Sequence, residues 1–301
     1  MKILICDPIH QDALSLFKNA NIDAFYFAEI TPDELLEKIA QFEGLIVRGR
    51  TKVTKEVIEK GVKLKIIARI GSGVDNIDVM EAKRKNIIVI NAPGANAQAV
   101  AELTLGLMLS LLRKIPRADY SMKKGEWAKN MLKGEELHGK KVGIIGFGNI
   151  GKRVAHAVEA FGATILTHDR DNDENNLIKL LKESDIVSIH SVLTDETKNM
   201  INGSRLSYLK KSAYLINCAR AEIVDEAALY TALETGRIKG AALDVFWEEP
   251  IPIKSRWLNL ENVILTPHIG GQTNEASYNA AMMIAANLVK YSLGKEIDHL
   301  I

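Results

Sequence analysis

The stretch Val142-Gly143-Ile144-Ile145-Gly146-Phe147-Gly148-Asn149-Ile150-Gly151 constrains the fold more than any other part of the chain. A β-rich run leads directly into three glycines spaced G-x-G-x-x-G, and a helical pattern follows over about 150–161. In that setting Gly146 allows a tight turn, Gly148 lets the backbone approach a pyrophosphate, and Gly151 lets the helix pack close to the strand. The helix N-terminus then faces the phosphates with its free N–H groups and the positive end of its dipole. Asp169 follows the next predicted strand, 164–168. A carboxylate there bonds the adenosine ribose hydroxyls and repels a 2′-phosphate, which favours NAD over NADP. Arg170 works the other way, because an arginine can accept that phosphate or stack on adenine.

Strand and helix patterns alternate along most of the 301 residues. Before residue 91 the strands are predicted at 3–6, 22–27, 45–48, 65–70 and 87–90, with helices at 11–19, from 32 to near Gly44, at 54–60 and at 78–85. Thr31-Pro32-Asp33-Glu34 supplies an N-cap, a proline in the first turn and a capping-box glutamate. Asn91-Ala92-Pro93-Gly94 breaks the pattern, and a long apolar helix over 98–112 follows. A second series has strands at 142–145, 164–168, 186–190, 213–217, 240–244 and 263–265. Helices near 150–161, 175–183, 204–210 and 225–235 separate most of them. Thr273 to Leu293 reads as a helix, apolar on one side, returning to the first domain. The expectation is an α/β chain of two domains with parallel sheets: a discontinuous flavodoxin-like substrate domain (1–95 and 273–301) and a Rossmann-type NAD-binding domain (96–272). A cleft between them is the usual place for a ligand.

Composition excludes some partners. A net charge of +1 provides no field to recruit nucleic acid or an anionic membrane. The densest apolar stretch, Thr104 to Leu112, is far shorter than the roughly 18–20 residues of a membrane span. Two cysteines, Cys6 and Cys218, make no disulfide framework, and Met1-Lys2-Ile3-Leu4-Ile5 runs into a strand rather than a signal peptide, so a reducing cytoplasm is expected. No cluster of His, Cys and carboxylates at ligand spacing calls for a metal.

Three residues with matching chemistry stand at or beyond strand ends, where ligands bind in open α/β sheets. Arg220 follows 213–217, Glu249 follows the strand ending at Asp244, and His268 follows 263–265. Moving a hydride from an alcohol carbon requires a base for the hydroxyl proton and a cation for a neighbouring carboxylate. Singly, each also has an ordinary explanation: a surface ion pair, a turn before proline, a packed histidine.

Together with Arg69-Ile70-Gly71-Ser72-Gly73-Val74-Asp75-Asn76-Ile77-Asp78, Ala101-Glu102-Leu103-Thr104, Gly125-Glu126-Trp127, Asn217-Cys218-Ala219-Arg220, Ile223-Val224-Asp225-Glu226, Ala242-Leu243-Asp244-Val245-Phe246, Glu248-Glu249-Pro250 and Pro267-His268-Ile269-Gly270-Gly271, the chain resembles the D-isomer-specific 2-hydroxyacid dehydrogenases over nearly its whole length. Within them it is most similar to the phosphoglycerate branch. The resemblance implies that Arg220 holds the substrate carboxylate and C2 oxygen and that His268 is the acid–base group. Glu249 would bond the other ring nitrogen and favour the charged imidazole. Asp244 would bind the nicotinamide carboxamide, Cys218 and Ala219 would approach NAD through their backbone, Asn149 and Ile150 would meet the pyrophosphate by their N–H groups, and His190, Ser191, Gly270 and Gly271 would lie along the cofactor. Ser72, Gly73 and Val74 would cap the nicotinamide and bind the carboxylate, and Asn96 would contact substrate. The implied partners are a small, phosphorylated 2-hydroxy acid and a second copy of the chain, paired through the long apolar helix; burial between the two domains explains that helix equally well.

Arg48 and Arg69 end successive helix-separated strands of the first domain. They could converge on one phosphate, for which an unphosphorylated hydroxy acid has no need; two solvated loop arginines is the other reading. Arg50 reads as solvated or auxiliary. Oxidation of 3-phospho-D-glycerate to 3-phosphohydroxypyruvate, the entry to serine synthesis, is the leading reading. Reduction of glyoxylate or hydroxypyruvate is the second, and a non-catalytic NAD-sensing corepressor a remote third. The chain departs from the family pattern at Ala221 and Glu222, where glycines are usual, at Val192 for a proline, and at His168 for a tyrosine. It stops after the returning helix, so feedback through a C-terminal regulatory domain is not expected.

Overall fold

The computed structural model describes residues 1–301. The chain forms two compact units, Met1–Asn96 with Gly271–Ile301, and Ala97–Gly270.

In the first unit β1 (Lys2–Ile5), α1 (Gln11–Asn19), β2 (Asp23–Tyr26), α2 (Pro32–Lys38), β3 (Gly44–Val47), α3 (Lys55–Lys60), β4 (Ile66–Arg69), α4 (Val79–Arg84) and β5 (Ile88–Ile90) alternate. Their parallel sheet has the order β2-β1-β3-β4-β5, the flavodoxin-like arrangement. Successive side chains enter opposite cores, as the two-residue period of a strand requires. Leu4, Leu45, Val47 and Ile67 pack with Leu35, Ile39 and Ile58 on one face. Ile3, Ile5, Ile46 and Ile66 pack on the other with Phe17 and with Ala281, Ile284, Ala285 and Leu288 of the C-terminal helix (Asn274–Ser292). Each fully buried Ile or Leu contributes about 1.5–3 kcal/mol, so the returning helix completes this core. Side chains start the helices as predicted: Thr31 accepts from the Glu34 N–H at 3.3 Å while the Glu34 carboxylate accepts from the Thr31 N–H at 2.9 Å. The α-helical part of that segment stops at Lys38 and tightens into a 3₁₀ turn over Ile39–Gln41, short of the predicted end near Gly44.

The second unit runs α5 (Ala97–Arg113), α6 (Ile115–Lys123), β6 (Lys141–Ile145), α7 (Asn149–Ala160), β7 (Thr164–His168), α8 (Glu174–Glu183), β8 (Ile186–Ile189), α9 (Gly203–Leu206), β9 (Tyr214–Asn217), α10 (Glu226–Glu234), β10 (Gly240–Leu243) and β11 (Val263–Leu265). All six strands are parallel in the order β7-β6-β8-β9-β10-β11. The order reverses at β6, so the crevice beyond the ends of β6 and β8 is the natural ligand site.

The sequence reading did not include α6. Lys114 adopts φ 54°, which ends α5, and Pro116 sits in the first turn of the helix that follows. The apolarity of α5, which suggested a partner subunit or a second domain, is largely used within its own unit. Val100, Leu107, Met108, Leu111 and Leu112 are buried against Val142, Ile144, Val154, Val158 and Ile216. No helix is long and apolar enough to cross a membrane.

Candidate active site

The glycine loop leaves β6 at Gly146, whose φ of +92° suits a residue without a side chain. A Cβ there would lie 2.6 Å from the backbone of His190 and Ser191, so the ends of β6 and β8 meet at this point. A Cβ on Gly151 would come within 2.1 Å of the Gly146 carbonyl oxygen, so α7 packs against the turn too closely for any other residue. Gly148 differs: nothing lies within 4 Å of its Cβ position, and no side chain caps α7. The first turn of α7 therefore presents N–H groups without a capping side chain over open space, which fits a pyrophosphate. The Asp169 carboxylate accepts from the Phe147 N–H at 3.1 Å and from the Arg170 N–H at 2.9 Å, tying the end of β7 to the loop. The Arg170 side chain is solvated, with only Asp171 near it, at 4.0 Å.

His190 ends β8 with Nε2 2.8 Å from Ser188 Oγ and with Nδ1 buried and unpartnered. Burial pushes its pKa from 6.5 down to about 3, so it is neutral in the folded chain. The unfolded chain binds this proton below about 6.5, whereas the folded chain does not until about 3. Stability should therefore fall as the pH is lowered through that window, with a contribution of at most about 1.4 kcal/mol per pH unit. Thermal melts of the protein and of His190→Asn from pH 7 to 4 should show a shallower acid loss for the variant, and equal slopes would refute the linkage. Cys218 is buried beside Thr104, and desolvation pushes its thiol up to about 12, so the thiol is protonated and unreactive.

Arg220 follows β9 and opens a 3₁₀ turn over Ala221–Ile223. Its guanidinium donates to the Ala219 carbonyl at 2.7 Å. Asn217, 1% exposed, holds this segment from inside: its Nδ2 donates to the Arg220 carbonyl at 2.8 Å and its Oδ1 accepts from the Ala219 N–H at 3.0 Å. His268 lies beyond β11 at φ 52°, an uncommon backbone conformation for a non-glycine residue. Its Nδ1 is 2.7 Å from Glu249 Oε2, and Glu249 Oε1 accepts from the Phe246 N–H at 3.0 Å. With Nδ1 turned to the carboxylate, Nε2 on the opposite edge of the ring is left for a reacting group. Both side chains remain partly open to solvent, His268 48% and Glu249 37% exposed. Asp244, 1% exposed, accepts from Thr266 Oγ1 at 2.6 Å, from the Ile269 N–H at 2.9 Å and from the Gly270 N–H at 2.7 Å. Three of its roughly four acceptor positions thus fix the loop that carries His268, leaving about one for a ligand.

In the first unit, the backbone around Arg48 is held on both sides. Its N–H donates to Asp7 Oδ2 at 2.6 Å, and Asn76 Nδ2 donates to the Arg48 and Thr51 carbonyls at 2.7 and 2.6 Å. The half-buried guanidinium donates to Ser277 Oγ at 3.3 Å, with no carboxylate within ion-pair distance. Arg69 ends the neighbouring strand, β3 and β4 pairing Val47 with Arg69, and its guanidinium lies 3.9 Å from the Cβ position of Gly49. Arg50, read as solvated or auxiliary, is half exposed and also anchored: it bonds Asp7 Oδ1 at 2.9 Å and the Cys6 and Ala28 carbonyls at 2.7 Å each. Ser72 Oγ donates to Asn96 Oδ1 at 2.9 Å and to the Ala92 carbonyl at 3.2 Å, and Asn91 Nδ2 donates to the Ser72 carbonyl at 2.6 Å. Gly73 and Val74 continue this partly exposed loop, and a Cβ on Gly71 would clash with Arg69. Gly271 lies against Asn96, its Cβ position 3.0 Å from Asn96 Nδ2.

The NAD-binding domain model of the D-isomer-specific 2-hydroxyacid dehydrogenases matches residues 105–270. The D-3-phosphoglycerate dehydrogenase of Methanocaldococcus jannaschii is 43% identical over all of this chain, which spans 59% of that relative's length. The hydroxypyruvate reductase of Thermotoga maritima is 42% identical over 96% of this chain and 97% of its own. A crystal structure of a Thermus thermophilus protein superposes over the whole of both chains with a TM-score of 0.92 at 32% identity. The chain belongs to the D-isomer-specific 2-hydroxyacid dehydrogenase family. The chain keeps His268 and Glu249 in contact and departs from the family pattern at four other positions. Ala221 is buried and Glu222 half-buried, the Glu222 carbonyl accepting from the Asn199 N–H at 2.8 Å. Val192 is 73% exposed, and His168 Nδ1 lies 2.9 Å from Asn176 Oδ1. Asn217, Asn76 and Asp7 were given no role from sequence. Their only signal was a short polar residue at the end of a strand or within a glycine-rich loop.

Proposed function

We propose that this dehydrogenase oxidises 3-phospho-D-glycerate to 3-phosphohydroxypyruvate with NAD, the first step of serine synthesis. One observation supports the choice of a phosphorylated substrate: Arg48 is a half-buried cation without a carboxylate partner, on the strand next to Arg69. Burying a charge without compensation is costly, and a phosphate would supply it. On this reading Arg220 holds the substrate carboxylate and C2 oxygen, and Ser72, Gly73, Val74 and Asn96 contact the substrate. Bound nicotinamide supplies the acceptor for the C2 hydride. His268 Nε2 takes the C2 hydroxyl proton as the hydride leaves, and Glu249 balances the imidazolium that results. Gly146, Gly148, Asn149, Ile150 and Gly151 hold the pyrophosphate and Asp169 the adenosine ribose. His190, Ser191, Cys218, Ala219, Asp244, Gly270 and Gly271 line the remainder of the cofactor. The working form is read as a homodimer in the cytoplasm; its pairing is supported by Ile115, Tyr120, Met122, Trp127 and Met131, all at least 50% exposed.

Reduction of hydroxypyruvate or glyoxylate is the second reading, supported by the equally similar Thermotoga maritima reductase. Comparing kcat/KM for 3-phospho-D-glycerate with NAD against glyoxylate and hydroxypyruvate with NADH tests the choice. Arg69→Ala should lower kcat/KM for the phosphorylated acid about 100-fold, the scale of two charge-assisted hydrogen bonds, and change glyoxylate reduction less than threefold. Equal losses on both substrates would replace the phosphate reading with the reductase one.

A further inference from the structure

We infer that Ser277 is a specificity-determining residue that orients Arg48 for the substrate phosphate; this rests on the phosphorylated-substrate reading above. Arg48 leaves the C-terminal end of β3 with its backbone fixed by Asp7 and Asn76, but its side chain has one hydrogen-bond partner, Ser277 Oγ at 3.3 Å. That partner comes from far along the chain, in the first turn of the C-terminal helix. The helix is held there by its buried face and by Tyr278, whose ring meets His10 edge-on at a centroid distance of 4.8 Å. Ser277 is half-buried, so its hydroxyl is confined to the same edge of the sheet as the guanidinium.

The chemistry of the pair suits an anion. A serine hydroxyl has one donor and two acceptor positions. Accepting from Arg48 uses one acceptor and leaves the O–H free to donate to the oxygen that the guanidinium binds. A neutral acceptor also holds the arginine without cancelling its charge, as a carboxylate at the same place would. Ser277 thereby restricts the rotamers of a long side chain before the ligand arrives, which lowers the entropic cost of binding.

The test compares Ser277→Ala, Ser277→Thr and Ser277→Asp in the full chain with 3-phospho-D-glycerate and with glyoxylate. Ser277→Ala should raise KM for the phosphorylated acid about 5- to 10-fold, the worth of one hydrogen bond, with kcat within twofold. The glyoxylate constants should also stay within twofold. Ser277→Thr, which keeps the oxygen, should recover most of the loss. Ser277→Asp should raise KM beyond the alanine variant, because its carboxylate pairs with Arg48 and repels phosphate. An unchanged KM in Ser277→Ala, or equal changes on both substrates, overturns the role of Ser277. Arg48→Ala separates this failure from that of the underlying reading. A selective loss there with a neutral Ser277→Ala removes only the serine, whereas no selectivity in Arg48→Ala removes the phosphate site and the inference with it.

Discussion

Replacing His268 with asparagine should lower kcat about 10³-fold, within the 10²–10⁴ range of a positioned acid–base group. Asparagine is the informative substitution because His268 sits at φ 52°. Asparagine tolerates that left-handed conformation, whereas alanine would add backbone strain to the loss of the imidazole. The loop should remain in place, because Asp244 holds it through Thr266, Ile269 and Gly270. NAD affinity, followed by quenching of tryptophan fluorescence, should change less than threefold. Glu249→Gln should cost less than His268→Asn: the amide keeps a hydrogen-bonding group at the 2.7 Å contact but removes the charge that balances the imidazolium. A His268→Asn protein that retains more than a tenth of wild-type kcat would remove His268 from the chemistry.

Arg220→Gln should lower kcat/KM by about 10²- to 10³-fold, the effect of losing two charge-assisted bonds to a carboxylate and a polarised carbonyl. Arg220→Lys should recover only part of this, because an ammonium is a point charge and cannot make the planar, two-pronged contact. Unlike the loss in Arg69→Ala, this one should be the same for phosphorylated and unphosphorylated acids, since both carry the C1 carboxylate and C2 oxygen. A loss confined to one class would mean that Arg220 binds something other than the common part of the substrate. Asn217 offers a control on position. It bonds the backbone of the two residues after Cys218, at Ala219 N and Arg220 O, and so sets the direction in which the arginine leaves β9.

What was legible in the sequence was local. The G-x-G-x-x-G turn, the Thr31 capping box and the alternation of strand and helix each follow from backbone preferences over a few residues, and each is present where the pattern put it. The strand-end positions of Arg220 and His268 were equally readable, because the end of an apolar run marks the end of a strand. The helix α6 was missed because the left-handed Lys114 and the nearby Pro116 look like a stop, although they also start a new helix.

The rest depended on which strands become neighbours. The β8 end beside the glycine loop, the Asp7 carboxylate shared between Arg48 and Arg50, and the three donors around Asp244 join residues between 22 and 45 positions apart. His190 is neutral because burial has removed the solvent that would stabilise its charge, a condition no residue pattern encodes. The apolarity of α5 was visible in the sequence, but its use against β6, α7 and β9 was not, because hydrophobic burial has no direction of its own. By itself the sequence determined the elements and the chemical groups carried at their ends. Sheet order and the return of the C-terminal helix decided which of those groups meet, because a hydrogen bond between distant residues exists only once packing has brought them together.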